Sequence, residues 1–454
     1  MLARSSQSYL AVAEAAWRWV LDQVRWDDGP WIPASVTADG TAGPSWDRDG
    51  LHSGIGGLAH VLAEIRLGRA WTAEEQRLAD AVAERVRAVV ATQTDPSYFD
   101  GLVSSIGVLT ALGAPGADAA VIRLAELATP DGWPQTVIDG PRYQPGAPLN
   151  DLTLGTAGVL LGSVWARRHG VAGAGEVARV AADILVGEAE HEPTGSNWWM
   201  VSRRFQTGTA DVPPAQMPNL SHGVAGIVAA LAVAGAELDR ADLTAIASSG
   251  AEHLVSLGDA SGSGFVVPRY LPRGYNEEDE VTYSWCHGAT GTSLAFLALE
   301  QAGVSQVAGR SSLSWHRRCL HSVRVSGVPE RRYPGFWDND GRCCGTAGVG
   351  DVFADSWQRS GEDRDLDFAL QLADTLVQRA VRVGPHAYWR FLEHRAAEPL
   401  LPPGVGWAQG AAGIAAYLFR TGRLLRDGTA AEVVPRMDTW WALPSAATRR
   451  GLDG

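Results

Sequence analysis

Apolar residues recur at three- and four-residue steps through TAEEQRLADAVAERVRAVV from Thr72, GEVARVAADILVGEAE from Gly175 and EDRDLDFALQLADTLVQRAV from Glu362. Charged residues fill the remaining positions, so each stretch predicts a helix with one buried face. A second kind of segment is apolar nearly all round, and each copy is opened by a small-residue tetrad of the form G-x-[AGT]-G. The copies stand at Gly54, Gly155, Gly223, Gly288, Gly345 and Gly410, with a degenerate SSIG at Ser104, making seven. Glycine and alanine leave no side-chain bulk there, so neighbouring helices can approach closely at one end.

The two patterns alternate along the chain, which predicts an all-α fold: an α/α toroid, or barrel, of seven inner and seven outer helices. Closing the set on itself lets every repeat bury its apolar face. The whole of 1–454 reads as one domain, with an N-terminal outer helix at 6–27, a repeat core from about 50 to 425 and a C-terminal tail from about 430 to 454. Longer Pro-, Gly- and Trp-rich insertions, Thr129 to Asn150, Glu188 to Asn219 and Gly258 to Tyr283, are expected to wall the mouth of the ring. The run Glu277, Glu278, Asp279, Glu280 lies in the last of these and reads as a solvated loop, with recognition of a basic peptide segment as the alternative.

Composition narrows the classes. A hydrophobic share of 46% suits a large soluble core. The net charge of −13 opposes non-specific attraction to nucleic acid or anionic lipid. Glu14 and Arg18 interrupt the N-terminal apolar pattern, which argues against a signal peptide, and no apolar run approaches a membrane span. The expected location is cytoplasmic. Four cysteines are too few for a disulfide scaffold, and reduced thiols are better read as ligands or nucleophiles. Cys319 reads as a buried helix residue.

The residues just before each tetrad are expected at one rim: Ser53, Val103, Leu154, His222, His287, Cys344 and Gln409, with Cys286 and Cys343 one position further back. Cys286, Cys343 and Cys344 thus converge at neighbouring helix starts, where unpaired N–H groups and the dipole favour thiolate. Three thiolates with one open corner describe a catalytic zinc site, one Zn²⁺ per chain. His287 or His222 could close the fourth corner instead, which would make the zinc structural.

The segments NLSHGVAG, YSWCHGATG, GRCCGTAG and GWAQGAAG resemble the signature segments of the lanthionine synthetase C-like family, and the resemblance runs from Gly54 to Gly413. It implies an α/α toroid that binds zinc and adds cysteine thiols to dehydroalanine or dehydrobutyrine, closing the thioether rings of lanthipeptides. The usual ligand set of that family is two cysteines and one histidine. Here Cys344 replaces the histidine, as in a three-cysteine subgroup of bifunctional lanthipeptide synthetases. By family position His222 matches a histidine assigned to acid–base work, and Asp151 an aspartate that assists or orients it; a helix N-cap is the competing role for Asp151. Thr282 stands where many members carry arginine, and His287 where tyrosine is common. Enolate stabilisation by arginine therefore does not transfer, and His287 becomes a candidate proton or hydrogen-bond donor.

The expected partners are a dehydrated precursor peptide bearing a leader and a separate dehydratase, since no segment is left over for a dehydrating domain. Two other readings stay open: addition of glutathione or another small thiol to dehydroamino acids, and a peptide-binding scaffold with structural zinc. A toroidal glycosidase would need paired rim carboxylates, for which Asp100 and Asp151 are the visible candidates; it leaves the cysteines without a purpose. Trp285 and Trp407 precede the rim and read as packing anchors, while Asp338 and Asn339 are expected to shape a turn before Cys343.

Overall fold

A computed structural model describes residues 4–37, 43–136, 138, 141–208, 216–273, 280–330, 339–391 and 400–443. Glu277, Glu278, Asp279 and Asp338 lie outside them. Helices dominate: α1 (Ser6–Gln23), α2 (Leu58–Arg66), α3 (Ala73–Val90), α4 (Leu102–Leu112), α5 (Ala117–Leu127), α6 (Thr156–Arg168) and α7 (Ala174–Gly187). They are followed by α8 (Val224–Leu238), α9 (Ala241–Leu257), α10 (Ala289–Gln301), α11 (Ser312–Val325), α12 (Thr346–Ser360), α13 (Asp363–Arg379) and α14 (Ala411–Asp427). Among the described residues three short antiparallel hairpins interrupt them: β1–β2 (Glu190–Glu192, Gly195–Asn197), β3–β4 (Gln306–Val307, Arg310–Ser311) and β5–β6 (Val381–Val383, His386–Tyr388).

The chain divides into two compact units: Met1–Ala88, Gly107–Ala114 and Gly327–Gly454 form the first, and Val89–Ile106 with Pro115–Ser326 the second. In the second unit α6, α8 and α10 pack side by side, and each carries its own sequence neighbour, α7, α9 or α11. In the first, α14 packs on α1, α2 and α12, and α12 carries α13. The sequence explains which helix does which. Every residue of α6 from Thr156 to Ala166 is buried, as is every residue of α8 from Val224 to Gly235. By contrast α7 and α13 bury only one face, at the apolar positions of their three- and four-residue pattern.

Each helix that follows a tetrad begins in the same way. Its first N–H groups have no partner inside the helix, and here they reach back seven residues: Ile55 to the Arg48 carbonyl, Leu102 to Asp95, Thr156 to Leu149, Ala225 to Pro218, Ala289 to Thr282, Thr346 to Asn339 and Ala411 to Gly404. The loop before the helix therefore folds over the helix start and seals it.

That geometry corrects two expectations. SSIG at Ser104 does not open a helix, because α4 already begins at Leu102. The structural copy is Gly101, where a Cβ would lie 2.2 Å from the Asp95 carbonyl oxygen, so the rim position passes from Val103 to Asp100. The second correction concerns the free N–H groups expected to favour thiolate: the first ones are already bonded to loop carbonyls. The N-terminal helix is also shorter than 6–27, ending at Gln23 where Val24 turns to extended backbone.

Four buried tryptophans donate their indole N–H to carbonyls near a helix end or in a hairpin. Trp133 donates to the Leu124 carbonyl at 2.8 Å, Trp198 to Leu185 at 2.7 Å, Trp315 to Val307 at 2.8 Å and Trp389 to Leu376 at 2.8 Å. An apolar ring with one polar edge suits such a place.

The first unit also buries a charged cluster. Arg420 reaches Asp351 at 3.1 Å, Asp355 at 2.5 Å and Gln358 Oε1 at 2.7 Å. Arg342 pairs with Asp351, Arg423 with Glu64, and Arg436 lies 3.7 Å from Asp351 and 3.6 Å from Asp355. Burial by itself would raise the Asp351 carboxyl, yet Arg342, Arg436 and Arg420 hold it well below the usual carboxylate range. Burial, aided by Arg436 and Arg342, pushes the nearby His60 imidazole down to about 3.

Two outcomes follow from this packing. Replacing Trp198 by phenylalanine orphans the Leu185 carbonyl and should cost about 1–3 kcal/mol, read from denaturant unfolding, whereas the same change at exposed Trp26 should cost nothing measurable. His60 binds a proton in the unfolded chain below its ordinary value of 6.5 but in the folded chain only near 3. Its contribution to stability is thus complete above pH 6.5 and is lost as pH falls through that window. Unfolding of His60→Phe should lack that one-proton slope between pH 6.5 and about 3.

Candidate metal centre and its histidines

The adjacent cysteines sit in the loop that seals α12. Thr346 and Ala347 donate to the carbonyls of Asn339 and Asp340, while the Asn339 side chain accepts from Gly341 N at 2.6 Å. Asn339 thus shapes the turn as expected. A Cβ at Gly345 would lie 2.3 Å from the Asn339 carbonyl oxygen, so only glycine lets this loop close. The closed loop presents Cys343 and Cys344 with their sulfur atoms 3.4 Å apart. Cys344 is buried and Cys343 half-buried. Gln409, which precedes α14, brings Nε2 to 4.0 Å from Cys344 Sγ.

Cys286 occupies the matching loop before α10. Its sulfur lies 3.3 Å from Ser284 Oγ, its carbonyl accepts from Ser221 N at 3.0 Å, and the residue is buried. Cys286, Cys343 and Cys344 form a group that could hold a metal ion, one sulfur from each. Among the described residues the group consists of these three cysteines. Three sulfurs suit zinc better than a hard cation, and zinc with three protein ligands keeps a corner for a further donor. Cys319, buried within α11, is separate: burial pushes its thiol up and leaves it inert.

The loops before α6 and α8 supply the polar groups. Asp151 is fully buried, and its two oxygens do different things. One accepts from Leu154 N at 3.0 Å, the turn-capping role; the other lies 2.6 Å from His222 Nδ1. Leu154 precedes α6, whose N-cap is Gly155 without a side-chain bond, so Asp151 caps a turn and not the helix weighed from the sequence. Thr153 Oγ1 stands 3.2 Å from that second oxygen and 3.0 Å from His222 Nδ1, which fixes the ring further. With Nδ1 turned to the carboxylate, the His222 side chain keeps 23% exposure.

His287 is buried, with Nδ1 3.1 Å from Asn219 Oδ1, an oxygen that also accepts from His222 N at 3.4 Å. The two imidazoles lie 5.5 Å apart, centroid to centroid. Asn219 is the residue that sequence reasoning passed over, although it stands inside NLSHG; fully buried, it is held by these bonds and by one from Nδ2 to the Arg269 carbonyl at 3.3 Å. Trp285 packs edge-on against Phe99, and Trp407 against His60, as anchors rather than open stacking faces. Thr282 is buried where arginine was absent.

Paired helices, one buried all round and one amphipathic, put the chain in the α/α toroid class. It belongs to the lanthionine synthetase C-like family, whose profile matches residues 45–427. Among solved structures it is similar in fold to nisin cyclase, with 12% identity over 87% of this chain and 93% of that one and a TM-score of 0.54. Two lower likenesses are the Lin0763 protein from Listeria innocua (11% identity, 90% and 96% of the chains, TM-score 0.48) and an unsaturated glucuronyl hydrolase from Bacillus sp. GL1 (12%, 96% and 97%, TM-score 0.44). No curated protein sequence matches the chain. Among the described residues no helix is long and apolar enough to cross a membrane.

Proposed function

We propose that this chain is a zinc-dependent lanthionine synthetase that closes (methyl)lanthionine rings in a dehydrated, cysteine-containing precursor peptide. The observation that carries the reading is a group of three cysteine sulfurs that could hold a metal ion, in a chain that also holds an imidazole on a buried carboxylate. Family membership agrees with it.

The reaction joins a thiol to an alkene. The peptide thiol loses its proton, sulfur bonds to Cβ of dehydroalanine or dehydrobutyrine, the π pair moves to an enolate, and Cα takes a proton. When bound, zinc supplies the positive charge that keeps sulfur ionised near neutral pH. Cys286, Cys343 and Cys344 would hold it, and three thiolates exceed its charge by one. That excess withdraws less electron density from a further sulfur than a two-cysteine, one-histidine set does. His222 moves protons at Nε2, with Asp151 and Thr153 orienting the ring. His287, held by Asn219, is the second candidate to deliver the proton to Cα.

Addition within one peptide changes no mass but removes a free thiol. Incubation with a dehydrated cysteine-containing peptide, followed by alkylation and mass spectrometry, should show thiol loss that a chelator stops and added zinc restores. An adduct heavier by one glutathione, with peptide thiols untouched, would point to the small-thiol reading; no reaction at all would leave only a binding scaffold. The Cys344→His variant should still retain zinc yet cyclise about tenfold more slowly, equal to ~1.4 kcal/mol of barrier, and an undiminished rate would refute the charge argument.

A further inference from the structure

We infer that Arg342 is a positioning residue of the metal centre: its buried side chain clamps the Asn339–Gly345 loop to the Gly404–Gly410 loop and so fixes the sulfur atoms of Cys343 and Cys344. This rests on the reading that those sulfurs hold zinc.

The clamp has three parts, all within the first unit. Arg342 N and Cys343 N both donate to the Ala408 carbonyl, at 2.7 and 2.9 Å, which joins the two loops through backbone. The guanidinium lies 4.2 Å from the centre of the Trp407 ring, one residue before that carbonyl, and pairs with Asp351 on α12. The aliphatic stem runs against the first turn of α14, where a Cβ added at Gly413 would come within 2.7 Å of Arg342 Cδ. Neither loop can shift without breaking the stack or the ion pair, and Gln409 Nε2 near Cys344 Sγ depends on the same register.

Charge balance alone does not place this arginine. Asp351 shares Arg420, at 3.1 Å, and Arg436, at 3.7 Å, with Asp355, so a further guanidinium completes the pairing, but it could do so from any position around the carboxylate. What Arg342 alone offers is its place next to Cys343 and a planar group that can stack and pair at once, which lysine cannot do.

The test uses the full chain loaded with one equivalent of cobalt(II), reading the sulfur-to-cobalt charge-transfer absorption and the affinity by chelator competition. Arg342→Met should bind cobalt about 10–100-fold more weakly, the range for groups that orient metal ligands, with a shifted charge-transfer band. Arg342→Lys, which serves as the test if the methionine variant does not fold, should weaken binding to a lesser degree. Tyr417→Phe, which removes a buried hydrogen bond to the Ala369 carbonyl elsewhere in the same unit, should leave affinity and band as in the parent. Parent-like affinity and spectrum in the Arg342 variants would overturn the inference, as would equal weakening in Tyr417→Phe. Absence of any sulfur-to-cobalt absorption in the parent would instead refute the metal reading on which it rests.

Discussion

The structure depends on how helix starts are sealed. A helix leaves its first N–H groups without partners, and burying them bare costs about as much as a lost hydrogen bond each. Here every helix that follows a tetrad meets that demand with carbonyls seven residues upstream, so the preceding loop folds back over the helix end. Such a loop leaves no room for a Cβ at its closing residue, which is why glycine stands there. The positions just before that glycine carry Cys286, His287, Cys343, Cys344, His222 and Gln409.

The loops are then tied to one another by backbone. In the second unit Tyr98 N donates to the Thr153 carbonyl, Thr153 N to Ser221 and Ser221 N to Cys286. In the first, Arg342 and Cys343 donate to Ala408, whose own N–H donates to His52. A rim made of linked loops is stiffer than separate loops, and stiffness is what ligands and proton carriers need, since small misplacement of reacting atoms costs rate. Charge buried in the first unit, around Asp351 and Arg420, is poor material for stability, but its many directed contacts permit few alternative packings.

Chemistry divides along the same lines. Sulfur comes from the loops before α10 and α12, and the imidazole–carboxylate pair from those before α6 and α8. Asp151 illustrates the economy: one oxygen completes its own turn while the other orients His222. An aspartate used in this way cannot be exchanged for asparagine without weakening either the cap or the hold on Nδ1.

Much of this was legible in the chain itself, because it is written in short-range pattern. Three- and four-residue periodicity marks the amphipathic helices, continuous apolarity marks the buried ones, and a closing glycine has a steric cause that any sequence must respect. Cys343 and Cys344 announce themselves by adjacency. What the pattern could not carry was long-range pairing. Asn219 binds His287 across 68 positions, Asp151 meets His222 across 71, and Arg342 packs on Trp407 from a different loop. The true second copy, at Gly101, was hidden because Leu-Val-Ser follows it instead of small residues, and only the fold-back bond from Leu102 to Asp95 reveals it. Periodicity is a property of neighbours along the chain and fixes local shape; the partner of a buried polar atom is decided by whichever group folding brings within 3 Å or so, and that is a tertiary fact.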